Sequence, residues 1–152
     1  MREIHRTIVS AIIFSEDGKV LMGRKHSQGG GVYVDCWHIP GGGIDEGESL
    51  VDGVIREVKE EVGIVLTKQQ LKQIPGKGSG ISEKTLKDTG ERVLCHMEFN
   101  RFEVHMNDVS DNIVLSLDDD LVEVRWFTQE ELESVQQIPG GREFFKEMGY
   151  MD

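Results

Sequence analysis

Cysteine, positive charge and long apolar runs are all scarce in this 152-residue sequence. The two cysteines, Cys36 and Cys95, show neither CxxC nor zinc-type spacing. That excludes a disulfide scaffold and leaves them to be read as buried or half-buried thiols. No apolar run approaches membrane-spanning length, so no membrane partner is expected. The opening MREIHRTIVSAIIF lacks the small-residue cleavage site of a secretory leader, and its apolar part runs into a turn as a strand would. A mature, cytoplasmic chain is the expectation. Lys and Arg number 17 against 28 Asp and Glu, a net charge of -11. A chain so poor in cations is not built to replace the counterions of a nucleic acid polymer, and a polyphosphate ligand would reach it only with a metal.

What is present is the composition of a soluble globular protein: 38% hydrophobic, 30% charged and a mean hydropathy of -0.35. The length suits one domain over residues 1–152. No repeat, low-complexity tract or interdomain linker interrupts it. Thr7–Phe14 is β-branched and apolar, Ser15–Lys19 supplies an Asp-Gly turn, and Val20–Arg24 returns as the second strand of a hairpin. Cys36–Ile39 is a short extended piece stopped by Pro40. Leu71–Ile74 gives only a weak strand signal in a glycine- and lysine-rich region. In Arg92–Phe99 the apolar residues alternate on one face and then shift by one residue to Phe102, Val104 and Met106, which predicts a bulge. Leu121–Phe127 is a further strand. Thr128 and Glu131 form a capping box opening a short helix, and a last helix is predicted from about Gly141 to Met148.

The most informative stretch is REVKEEVG, residues 56–63. A helix is predicted over Leu50–Val62, with Ser49 as N-cap, Asp52 in an approximate capping box and Gly63 in the left-handed position after the last turn. Leu50, Val54, Val58 and Val62 form its buried stripe, while Glu57, Glu60 and Glu61 stack on another side. Like charges at that spacing repel by a few tenths of a kcal/mol per pair, and a bound cation would reverse the sign. Gly53, four residues before Glu57, either leaves space for a ligand or is incidental. The stretch Gly42–Ile64 holds seven acidic and two basic residues, so acid is concentrated where chemistry is suspected.

Taken together, Gly42, five residues, Glu48, seven residues, Arg56-Glu57-Val58, one residue, Glu60-Glu61, one residue and Gly63-Ile64 resemble the Nudix box. Seven fixed positions at about 7% usage each would coincide at a given start on the order of once in 10⁸. Trp37-His38-Ile39-Pro40-Gly41-Gly42 also looks like the strand entry of Nudix hydrolases, and Val124–Phe127 with Glu130-Glu131-Leu132 like their closing strand and helix.

The resemblance implies an α/β Nudix fold, a mixed β-sheet sandwiched between α-helices. It implies hydrolysis of a diphosphate linkage in a nucleoside diphosphate derivative, with magnesium or manganese. Small nucleotides are the substrate class: nucleoside triphosphates, nucleotide sugars, ADP-ribose or dinucleoside polyphosphates. The metal ligands it implies are Glu57, Glu60, Glu61 and the Gly42 region, a hard oxygen set suited to Mg²⁺. Glu48 and Arg56 are expected to tie the glycine loop to the helix as an ion pair, with Gly63 closing it. Among late candidates for an added ligand or general base, Asp120 is preferred over Asp118, Asp119, Glu103 and Glu98. Arg24, at the end of the second strand, is a candidate for meeting a substrate phosphate. Trp37 reads as core, and His38 and His96 as hydrogen-bonded structural histidines. A monomer or homodimer fits. Two other readings stay open: a catalytically silent nucleotide-sensing module, and an isoprenoid diphosphate isomerase, which would need a poised cysteine.

Overall fold

The computed structural model describes residues 1–25, 36–117 and 121–151. In chain order these form β1 (Arg2–Phe14), β2 (Val20–Lys25), β3 (Trp37–His38), β4 (Gly41–Gly43), α1 (Leu50–Val62), β5 (Lys72–Gln73), β6 (Gly78–Thr85), β7 (Arg92–His105), β8 (Leu121–Phe127), α2 (Gln129–Glu133) and α3 (Gly141–Glu147). The β-branched run at the end of β1 lies in the middle of a mixed sheet of order β3-β2-β1-β7-β5, with β4 on β1, β6 on β7 and β8 on β2. β1 and β7 are parallel; the other pairings are antiparallel.

Both faces of the sheet are covered. On one, Val9, Ala11, Ile13, Leu21, Phe102 and Val104 pack against Val54, Val58 and Val62 of α1. On the other, Ile12, Phe14, Val20 and Met22 pack against Phe127, Leu132, Phe144 and Phe145. Each of the three helix valines is fully buried, and each contributes on the order of 1.5–3 kcal/mol, an upper figure because the unfolded chain already hides some surface. The expected sheet between helices is what is observed.

The hairpin reading of the first two strands holds only at the turn. β1 and β2 share the pair Phe14–Val20, after which β2 runs along β8 and β4 takes over the β1 edge through Ile8–Gly43, Val9–Gly42 and Ser10–Gly41. This split is what places the three-glycine strand beside the helix that follows it. β1 also begins earlier than the expected Thr7, because its polar first half is carried by pairing with β7.

Three sequence readings are corrected. The predicted bulge in β7 is absent: the register with β1 runs unbroken from Arg2–Val93 to Phe14–His105. The apolar phase changes because the covered face changes, from Val93 and Cys95 on one side to Phe102 and Val104 on the other. The unassigned region contains β6, an eight-residue strand paired with β7. Its inward positions are Gly78, Gly80, Ser82 and Lys84, which give no apolar alternation to read. The space beside Gly53 is not open to a ligand, because a Cβ there would lie 2.7 Å from Ile44 Cγ2 and 3.1 Å from Glu48 Oε1. The glycine admits the preceding loop. Both cysteines are buried and free, as read.

Candidate active site

The site is built where β4 meets α1. β4 lies so close to β1 that a Cβ on Gly41 would fall on the Val9 carbonyl and 2.6 Å from Ser10 Cα. On Gly42 it would lie 2.5 Å from Glu57 Oε2, and on Gly43 it would overlap the Arg6 guanidinium. Only glycine lets this backbone touch a carboxylate on one side and a guanidinium on the other.

α1 has the predicted ends. Ser49 Oγ accepts from the Asp52 N–H at 3.1 Å, and Gly63 sits at φ +79° with its N–H donating to Lys59 O. Side chains are excluded at residue 63 twice over, since a Cβ would also strike Ser116 Oγ. Arg56 is the hub. Its Nε and Nη2 donate to the two oxygens of Glu48 at 2.8 and 2.9 Å, and Nη2 reaches Gly43 O at 3.1 Å. Nη1 donates to Glu57 Oε1 at 2.9 Å and to Glu60 Oε2 at 3.2 Å. One guanidinium thus joins the glycine strand, the loop before the helix and the acidic face. The Arg56 bond, reinforced by the Asp45 N–H, holds the Glu48 pKa down at about 2.

The three glutamates occupy different environments. Glu60 is the exposed one, its side chain 56% accessible. Glu57 is half-buried, and burial raises its pKa against the pull of Arg56 and Lys25. Glu61 is buried, at 6% accessibility, although the helix reading stacked it with Glu57 and Glu60 away from the buried stripe, and its Oε1 accepts the Gly41 N–H at 3.0 Å. Among the described residues no three His, Cys, Asp or Glu side chains converge on one point. Arg56 draws Glu57 and Glu60, and the glycine strand draws Glu61. The donor set is nonetheless all oxygen and abuts the Gly42 backbone, which fits a hard divalent cation and not a soft one.

Other site candidates fall elsewhere. Arg24 pairs with Glu123 at 3.3 Å and lies over the Trp37 ring. Asp120, with Asp118 and Asp119, lies outside the described residues. Glu98 is paired with Lys77 and Glu103 with His105. Trp37 is buried, edge-on to Phe127, and His96 bonds Glu3 at 2.7 Å. Two cations beside the site, and a third close enough to feel their charge, went unnoticed in the sequence. Lys25 acts on Glu57, Arg6 lies against Gly43, and the charges of both lower the Lys84 pKa, after its burial. They sit on separate strands outside the box, so no linear spacing announces them.

His38 is held by its Nδ1 at 2.9 Å from Ile39 O, and burial lowers its pKa to about 4. The unfolded ring binds its proton near 6.5, so the unfolded state takes up more protons between those values. Stability from the neutral ring is fully present above pH 6.5 and falls as pH drops toward 4, by at most about 3 kcal/mol. Urea midpoints measured from pH 4 to 8 should show this slope in the wild type and a shallower one in His38→Phe.

The family model for the NUDIX domain matches residues 4–148. The RNA pyrophosphohydrolase of Caulobacter vibrioides is 42% identical over 60 residues, covering 40% of this chain and 33% of that protein. The matched stretch therefore spans about a third of such a relative's length. The MutT protein of Methanosarcina mazei Go1 superposes with a TM-score of 0.71 at 24% identity, covering 98% of this chain and 96% of that one. The MutT NUDIX hydrolase of Burkholderia pseudomallei gives 0.67 at 21%, covering 94% and 97%.

Proposed function

The chain belongs to the Nudix family, and from that premise we propose that it is a divalent-metal-dependent pyrophosphohydrolase, cleaving a diphosphate linkage in a small nucleoside diphosphate derivative by attack of water at phosphorus. The observation that carries this reading is the contact of α1 with the glycine strand. Two of three carboxylates on one helix meet a backbone that only glycine allows so near, Gly42 lying on the Glu57 carboxylate and Gly41 donating to Glu61, and Arg56 ties in the third, Glu60.

Glu57, Glu60 and Glu61, with the backbone at Gly42, would hold Mg²⁺ or Mn²⁺. Bound there, the cation would neutralise charge on the phosphates and acidify the attacking water. The chain's own part is positional. Arg56 and Glu48 fix the glycine strand to the helix, and a carboxylate of the set accepts the proton from water. Arg6, Lys25 and Lys84 offset the negative charge that a polyphosphate brings to an acidic chain. The Caulobacter relative is named for RNA, but a net charge of -11 favours a small nucleotide here over the polymer.

The test is release of phosphate or pyrophosphate from a panel of nucleoside triphosphates, dinucleoside polyphosphates, nucleotide sugars and ADP-ribose. Turnover in Mg²⁺ that vanishes in EDTA is expected for at least one class. Binding without turnover across the panel, in Mg²⁺ and in Mn²⁺, would instead favour a sensing module.

A further inference from the structure

β6 is an open edge of the sheet. Its inner side pairs with β7 without a break from Gly78–Phe99 to Thr85–Arg92, and among the described residues no strand pairs with its outer side. An edge of this kind presents a row of backbone N–H and C=O groups, which natural sheets guard with proline, a bulge or charge. The centre of β6 has none of these: no proline, no shift of register against β7, and Gly80, Ile81 and Ser82 in the middle. Ile81 is 60% exposed. A single exposed isoleucine is ordinary on a surface, but this one stands at the middle of an unguarded edge.

The sequence of β6 is complementary to itself. Antiparallel pairing with an identical strand about Ile81 sets Ile81 opposite Ile81 of the second copy, Gly80 opposite Ser82, Ser79 opposite Glu83 and Gly78 opposite Lys84. No like charges face each other, and Lys77 lies diagonal to Glu83 of the second copy, within reach of its long side chain. Centring the pair on Gly80 or on Ser82 would set Ile81 against Ser79 or Glu83 instead. Ile81 registers with His96, and His96 with His5, whose ring stacks on it at 4.8 Å. The row across the joined sheets would then run His5, His96, Ile81 and the same three residues in reverse, taking both isoleucines out of water. The edge does not share the negative charge of the chain: residues 77–85 hold Lys77 and Lys84 against Glu83. Two copies of net charge -11 therefore meet where repulsion is weakest.

We propose that β6 pairs antiparallel with β6 of a second copy of this chain about Ile81, joining two eight-stranded sheets into one. A single strand pair is a small interface, so the dimer is reversible and forms at high micromolar protein. None of the box residues takes part, so the dimer stands or falls apart from the hydrolase reading.

Sedimentation equilibrium of the intact protein, from micromolar to millimolar concentration, should pass from 17.1 kDa toward twice that mass. Ile81→Lys sets like charges directly opposite and should weaken self-association about tenfold or more. The exposure of Ile81 leaves the fold of that variant intact, and the wild-type series stands without it. Cross-linking reads the register. Paired Cα atoms at the centre lie within disulfide range, so Ile81→Cys should give a covalent dimer on mild oxidation. Ser79→Cys, which faces Glu83 and not its own counterpart, should not, and the two native cysteines are buried. A mass that stays at 17.1 kDa throughout overturns the proposal and leaves the edge to an extended segment of another protein. A dimer that Ile81→Lys leaves intact, or equal cross-linking of the two cysteine variants, overturns it as well.

Discussion

Glu61→Gln is expected to cut nucleotide turnover by about 10³-fold or more while the protein stays folded. The amide keeps an oxygen where Glu61 Oε1 now accepts the Gly41 N–H at 3.0 Å, so the contact between α1 and β4 survives. What is lost is one negative charge in a buried position, at 6% accessibility, where charge is least screened. A cation that supplies several kcal/mol of transition-state stabilisation depends on such charges, and about 4 kcal/mol corresponds to a factor near 10³. The readouts are kcat and the thermal midpoint measured together. A midpoint within a few degrees and a collapsed kcat is the expected pair; a kcat within tenfold of wild type would remove Glu61 from the machinery.

The second large effect concerns adjacent glycines that should fail in opposite ways. Gly41→Ala drives a Cβ onto backbone, the Val9 carbonyl and Ser10 Cα, neither of which can rotate aside. Overpacking usually costs about 1–3 kcal/mol, and a backbone obstacle in the middle of a sheet puts this case at about 3 kcal/mol or above. Gly42→Ala meets first the Glu57 carboxylate, at 2.5 to 2.9 Å, the far end of a flexible side chain. Glu57 can swing away, so stability should change by less than about 1 kcal/mol while turnover falls with the displaced carboxylate. Denaturant melts of the two variants beside their kcat values check both. Equal stability losses would show that β4 is less tightly wedged than its contacts imply.

Much of this site was legible because its signals are local. Helix α1 has the predicted bounds, cap and C-terminal glycine, and the expected Arg56–Glu48 pairing is present at 2.8 Å. Those features depend on spacings of three, four and eight residues along one element. What escaped depends on partners distant in sequence. The burial of Glu61 comes from β4 folding back over the helix, and the strand character of Gly41–Gly43 comes from β1. β6 was missed because its inward face is glycine, serine and lysine. The bulge was inferred from a change of apolar phase, and that phase records which side of β7 is covered, not an extra residue.

The hydrolase reading is tested most directly by steady-state hydrolysis of the best nucleotide of the panel in Mg²⁺, wild type against Glu60→Gln. Glu60 is the exposed member of the set, and its described ion pair is with Arg56 at 3.2 Å, a contact that contributes under about 1 kcal/mol at such exposure. Loss of the fold therefore cannot mimic loss of function. A fall of orders of magnitude in a variant that melts like the wild type is the predicted result. A Glu60→Gln enzyme that turns over at the wild-type rate would contradict it, as would a wild type that binds nucleotide and hydrolyses none.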